Sequence, residues 1–191
     1  MKALRFVFLF LLVVGAATAQ TQDLGQGVFY NNEGTILIAV DAGVAIRKID
    51  SPFIMFKAYM AAGGKEDIVV DRADVVMVYK DVEYKMPVTK EFQKAYSAMR
   101  NDLTLYQNLG KESLALSPLR NFRFPESGDF FPVLGPSALA LTNEGSMAGT
   151  IGFKTTLYFK NPGFKTGDTL VIKIRDKKNP ELVGAVAVEL K

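Results

Sequence analysis

Four runs in the first eighty residues are apolar at nearly every position rather than at every second one: "TILIAV" from Thr35, "FIMFKAYMA" from Phe53, "DIVV" from Asp67 and "VVMVY" from Val75. Successive side chains of a strand point to opposite faces, so strands of this kind carry apolar surface on both. A sheet built from them needs a second layer over its outer surface, supplied by a helix, a loop or a partner. An open sheet with one wet face is therefore excluded for this half of the chain.

The last third follows the opposite pattern. Ile151, Phe153, Leu157 and Phe159 fall on one face and Lys154, Thr156, Tyr158 and Lys160 on the other, which predicts one buried and one solvated face. Leu170, Ile172 and Ile174 repeat it inward, with Lys173 and Arg175 outward, and Leu182, Val186, Val188 and Leu190 form a closing strand. Turn-forming clusters punctuate the strands: "NNEG" at Asn31, "GG" at Gly63, "DRAD" at Asp71, "TNEG" at Thr142, "NPG" at Asn161 and "DKKNP" at Asp176. One helix is legible at about 89–109. Thr89 after Pro87 is positioned to cap it, Phe92, Ala95, Tyr96, Met99, Leu103 and Tyr106 recur at helical spacing, and Gly110 ends it. Its polar side mixes Lys90, Glu91, Lys94, Arg100 and Asp102, so its apolar stripe is expected to lie on the domain's own sheet. Seven to nine strands with one inserted helix predict a mainly β fold. The expected architecture is an antiparallel β-sandwich, immunoglobulin-like in arrangement, with a helix-decorated barrel as the alternative.

The first nineteen residues carry Lys2 and Arg5, an apolar run from Phe6 to Val14 and the small-residue ending Ala17-Thr18-Ala19. That pattern predicts a signal peptide over 1–19, a mature chain from Gln20, and a single domain over 20–191 with no transmembrane segment after removal. The expected location is periplasmic or extracellular. Without the two leader cations, 21 basic residues face 20 acidic ones, so no general basic surface recommends a nucleic-acid partner. The chain has no cysteine, and stability without disulfides in an exported domain points to a bacterial envelope.

Histidine is also absent, which removes the Ser-His-Asp triad, the thiol nucleophile and the ordinary zinc site together. No Ser-x-x-Lys or Gly-x-Ser-x-Gly occurs, and "GGKE" at Gly63 lacks the elements of a phosphate loop. Asp71 and Asp74, near Asp67, read as turn formers rather than a calcium loop. No metal or cofactor is implied. What remains for catalysis is a carboxylate pair, for which Glu126 and Asp129 are the candidates: they sit among phenylalanines that can desolvate a carboxyl and stack on a sugar ring.

Residues 150–191 hold eight basic and four acidic side chains, and Lys154, Lys160, Lys173, Arg175, Lys177 and Lys178 are expected to share the wet face of a terminal hairpin as an anion-attracting surface. The segment "NFRFPESGDFFPVLGP", Asn121 to Pro136, is expected to be a plug rather than a binding loop. Phe122, Phe124, Phe130 and Phe131 would be buried as the missing cover, with Pro125, Pro132 and Pro136 limiting the chain's freedom. The leading functional expectation is an exported non-catalytic β-sandwich, a binding or structural module of the cell envelope whose partner is an envelope protein, a glycan or an anionic surface. A carbohydrate-active enzyme and a soluble carrier of an apolar ligand are the alternatives.

Overall fold

The computed structural model describes residues 20–132 and 139–191; the leader expected over 1–19, and the end of the aromatic segment with Pro136, lie outside the described residues. In chain order the strands are β1 (Gln22–Gly25), β2 (Val28–Asn31), β3 (Ile36–Asp41), β4 (Phe53–Ala62), β5 (Ile68–Asp71), β6 (Val75–Tyr79), β7 (Val82–Lys85), β8 (Glu144–Met147), β9 (Phe153–Lys160), β10 (Thr169–Arg175) and β11 (Val183–Glu189). The helices are α1 (Gly43–Arg47), α2 (Thr89–Ala95), α3 (Met99–Leu109) and α4 (Glu112–Leu116). A five-stranded sheet runs β1-β2-β3-β4-β9, a four-stranded sheet β11-β10-β6-β7, and a ribbon pairs β5 with β8. All the paired strands are antiparallel. The fold is mainly β, with the sheets in a sandwich-like arrangement.

The register explains the two kinds of apolar run. Ile36, Ile38 and Val40 of β3 stand opposite Ala62, Met60 and Ala58 of β4, whose same face continues into Phe153, Leu157 and Phe159 of β9. These side chains share a core with Val75 and Met77 of β6, Leu170, Ile172 and Ile174 of β10, and Val186 and Val188 of β11. That is the space between the two large sheets. At Gly184 a Cβ would stand 2.5 Å from the Ile36 carbonyl oxygen, so β11 reaches β3 only without a side chain there. The other face of the five-stranded sheet carries Val28, Tyr30, Ala39, Tyr59 and Ala61, which pack with Ala115 and Leu119 and with half-buried Leu114, Phe122 and Phe124. The second layer demanded by the two-sided strands is thus a helical one, continued by the aromatic segment. The ribbon is tied on by the β10–β11 turn, where the Val69 N–H donates to Asp176 Oδ1 at 2.7 Å and the Lys177 N–H to the Val69 carbonyl at 2.7 Å.

Several local expectations need correction. The helical segment at 89–109 is present but divided, because Tyr96 is extended (φ −135°, ψ 103°). Its ring lies 5.4 Å from Phe92 and 5.9 Å from Tyr158, and its hydroxyl is drawn to Asp102; helical geometry yields to that anchoring. Thr89 does not cap the helix: Val88 holds the cap position, and the Thr89 hydroxyl accepts from Arg72 at 2.7 Å. Gly110 does end α3, in a left-handed conformation. Asp102, expected on the wet side of the helix, is 1% exposed. Thr156 and Tyr158, expected on a solvated face, are fully buried because the aromatic segment and α2 close over them, whereas Ile151 is exposed. Among the described residues there are eleven strands rather than seven to nine, the surplus being four-residue pairs. No helix of the described residues is long and apolar enough to cross a membrane.

Phe130 and Phe131 are buried, and Phe122 and Phe124 half-buried. Phe124 meets Tyr59 edge-on at 5.8 Å, while Phe131 packs on Phe92 at 5.0 Å and Tyr158 at 5.3 Å. The described part of the aromatic segment therefore acts as cover.

Candidate functional site

The six basic residues singled out in the sequence are not brought together on one hairpin. Lys154 and Lys160 belong to β9 of the five-stranded sheet, Lys173 and Arg175 to the outer face of β10, and Lys177 and Lys178 to the turn after it. Three of them are already neutralised. Lys154 lies 3.3 Å from Glu112 and 3.2 Å from Glu126, Arg175 lies 3.5 Å from Glu83, and Lys177 bridges Asp71 at 3.3 Å and Glu144. The local excess of charge in the sequence is offset by carboxylates from other strands, so the attraction left for an anionic surface is modest.

The carboxylate candidates occupy unlike environments. Glu126 is solvent-exposed and paired with Lys154. Asp129 is buried and fully occupied: it accepts from the Thr156 N–H at 2.8 Å, the Phe131 N–H at 3.0 Å, the Thr155 and Thr156 hydroxyls at 3.0 and 2.9 Å, and the Lys57 ammonium at 3.1 Å. Such a set closes the Asx turn that sends Phe130 and Phe131 inward and pins it to β9. Among the described residues no three Asp or Glu side chains are grouped to hold a metal.

A cluster not evident from the sequence lies where α1 meets α3. Lys48, just past α1, pairs with Asp102, whose Oδ2 also accepts from the Tyr96 hydroxyl at 2.7 Å and the Tyr158 hydroxyl at 3.1 Å. The Ser51 hydroxyl is 3.0 Å from that of Tyr96. Serine, tyrosine, lysine and carboxylate within one hydrogen-bonded set is the raw material of nucleophilic catalysis. Here the protons are in the wrong places. Burial pulls Lys48 down, but the hydrogen bond and charge of Asp102, aided by Tyr96, outweigh it and hold the ammonium above its ordinary value. Burial likewise raises Tyr96, opposed by the hydrogen bond to Ser51 and the charge of Lys48 and supported by Asp102. Neither is available to deprotonate Ser51 at neutral pH, and the set binds α1 and α3 to β9. The separation of Lys48, Ser51, Tyr96, Asp102 and Tyr158 along the chain left no motif to find.

A further feature is a cleft of about 440 Å³ beside the β1–β2 turn, lined by Asp23, Gly43, Ile46, Arg47, Lys111 and Lys191 together with that turn. Gly25, Gln26 and Gly27 are all left-handed, with φ of 86°, 55° and 80°, which folds the turn back over α1 and leaves mostly backbone on that wall. Lys111 donates its ammonium to the Gln26 carbonyl, and Lys191 sits 3.0 Å from Asp23 and 2.8 Å from Glu189. Arg47 is exposed, with no ion pair or side-chain hydrogen bond to another of the described residues.

Behind Gly43 lies Asp41, 2% exposed, with Oδ1 accepting from the Gly43 N–H at 2.7 Å and Oδ2 without a partner among the described residues. Burial raises its pKa above 3.8, partly opposed by the Gly43 N–H and by Lys111. A raised folded-state value means that the native chain holds this proton more tightly than the unfolded one. Ionised Asp41 is thus a destabilising group, a penalty absent below the ordinary pKa and complete above the folded one. Asp41→Asn is expected to gain stability relative to the wild type as pH rises from about 3 to about 7 in urea melts, and a pH-independent difference would contradict this. No family model, curated protein or solved structure matches the chain.

Proposed function

We propose that the chain is an exported, non-catalytic β-sandwich that acts through its surface as a binding or structural module of the cell envelope. One observation carries the non-catalytic part: where a serine hydroxyl, a lysine and a carboxylate do converge, Lys48 is held protonated by Asp102 against the pull of burial, and Tyr96 by burial and Asp102, which leaves Ser51 without a base. The unlike settings of Glu126 and Asp129 weigh against a glycosidase pair in the same direction. The carrier alternative is disfavoured by the filling of the sheet–helix space, where Phe92 lies 4.5 Å from Tyr158 and 5.0 Å from Phe131. Export rests on the leader pattern of residues 1–19.

The test has two arms. Fractionation with mass spectrometry is expected to find a chain starting at Gln20 outside the cytoplasm; a cytosolic chain retaining 1–19 would contradict export. Assays on ester and glycan substrates are expected to show no turnover above buffer. Turnover abolished by Ser51→Ala or by Asp129→Asn would overturn the non-catalytic reading.

A further inference from the structure

We propose that the cleft between the β1–β2 turn and α1 is a binding site for a small ligand bearing a compact oxyanion, a carboxylate or a phosphate group. The inference rests on the binding reading above and gives it a place and a ligand chemistry. The volume, about 440 Å³, suits a sugar-sized molecule. Among the charged groups that line it, Asp23 and Lys191 satisfy each other at 3.0 Å. What is left facing the cleft is cationic: Arg47, without a partner among the described residues, and Lys111, whose ammonium is fixed on a neutral backbone carbonyl with the buried Asp41 behind it as an opposing charge. Fixing that lysine in advance lowers the entropy lost when an anion arrives, and the planar guanidinium of Arg47 suits a two-oxygen acceptor.

Two details fit a built site rather than an accidental hollow. Gly43 forms part of the wall, and a Cβ there would come within 2.9 Å of Asp41 Oδ1 and 3.0 Å of Lys111 Nζ, so a side chain at this point would displace the lysine. Asp41 lies under that wall as a buried carboxyl with one oxygen unpartnered, an arrangement that packing alone does not require. Its carboxyl and the Lys111 ammonium interact electrostatically across that wall. Ile46 offers an apolar patch for the uncharged part of a ligand.

The direct test is calorimetric or NMR titration of the full chain with inorganic phosphate and with glucuronate, using glucose as the uncharged control. At least one anion is expected to bind saturably at one site and glucose not at all. Arg47→Ala and Lys111→Met should each weaken that binding about tenfold or more, while Lys178→Ala, on the far turn, should not. Phosphate alone would identify a phosphorylated ligand, glucuronate alone an acidic sugar, and both a general oxyanion site. Because Arg47 is exposed, its variant folds independently of the answer, and it decides the matter should Lys111→Met fail to fold. The proposal is overturned if neither anion binds, if glucose binds as well as glucuronate, or if Arg47→Ala binds like the wild type. That outcome would leave the non-catalytic reading intact, since the latter fails only on turnover.

Discussion

Phe131→Ala and Phe130→Ala are each expected to lower the free energy of unfolding by about 3 to 5 kcal/mol in urea melts. Neither ring has solvent to relax into. Phe130 stacks at 5.3 Å on Phe153, and its N–H is held by the Thr155 hydroxyl at 2.9 Å. Phe131 touches Phe92 and Tyr158 and also carries the Arg72 guanidinium 4.4 Å above its ring. Losing that ring strands a half-buried cation whose other partners are Thr89 and the Pro87 carbonyl, so Phe131→Ala belongs at the upper end of the range. A typical domain has about 5 to 15 kcal/mol of net stability, so either change removes a large fraction of it. Phe122→Ala and Phe124→Ala, at half-buried positions, should cost visibly less. Unchanged melts for Phe130→Ala and Phe131→Ala would return the segment to the status of a binding loop.

Asp129→Ala is expected to be as damaging, for a different reason. Its carboxylate joins two backbone N–H groups, two hydroxyls and the Lys57 ammonium, and the Lys57 side chain is only 11% exposed. Removal leaves that ammonium with Thr156 Oγ1 at 3.2 Å as its remaining partner, and breaking one half of a buried pair typically costs about 3 to 5 kcal/mol. Asp129→Asn keeps an oxygen for the Phe131 and Thr156 N–H groups and should recover part of the loss. Combining Asp129→Asn with Lys57→Met should cost less than the sum of the two single changes, because the second removes the charge that the first strands. Simple additivity in that cycle would show that Lys57 and Asp129 are not coupled.

Strand identity and the need for a covering layer were legible because both depend on local periodicity. Leu170, Ile172 and Ile174 point inward as their alternation requires, and the two-sided β3 and β4 do have a layer on each face. What periodicity missed is set by partners distant in the chain. Tyr158 alternates like a solvent residue, yet it is fully buried because α2 and the aromatic segment close over it. Asp102 looks like part of a polar helix face until Lys48, Tyr96 and Tyr158 arrive from three other places. The helical pattern through Tyr96 is likewise broken by a hydroxyl with tertiary bonds to Ser51 and Asp102. The basic residues from Lys154 to Lys178 are close in sequence, but the order β4-β9 in one sheet and β11-β10-β6 in the other separates them. The β1–β2 cleft combines residues near 25, 45, 110 and 190, a juxtaposition that no window along the chain contains.

If Phe130 and Phe131 are core rather than loop, their backbone amides must be as hard to open as the sheet they cover, and native-state hydrogen exchange reads this directly. The Phe130 N–H is bound to Thr155 of β9 and the Phe131 N–H to the buried Asp129. Both amides are expected to exchange only through global unfolding, with the same opening free energy and urea dependence as Ala58 in β4 and Leu157 in β9. Exchange of Phe130 and Phe131 through a low-energy local opening, while the amides of β4 and β9 stay protected, would contradict the packing described here and make the segment a mobile recognition loop.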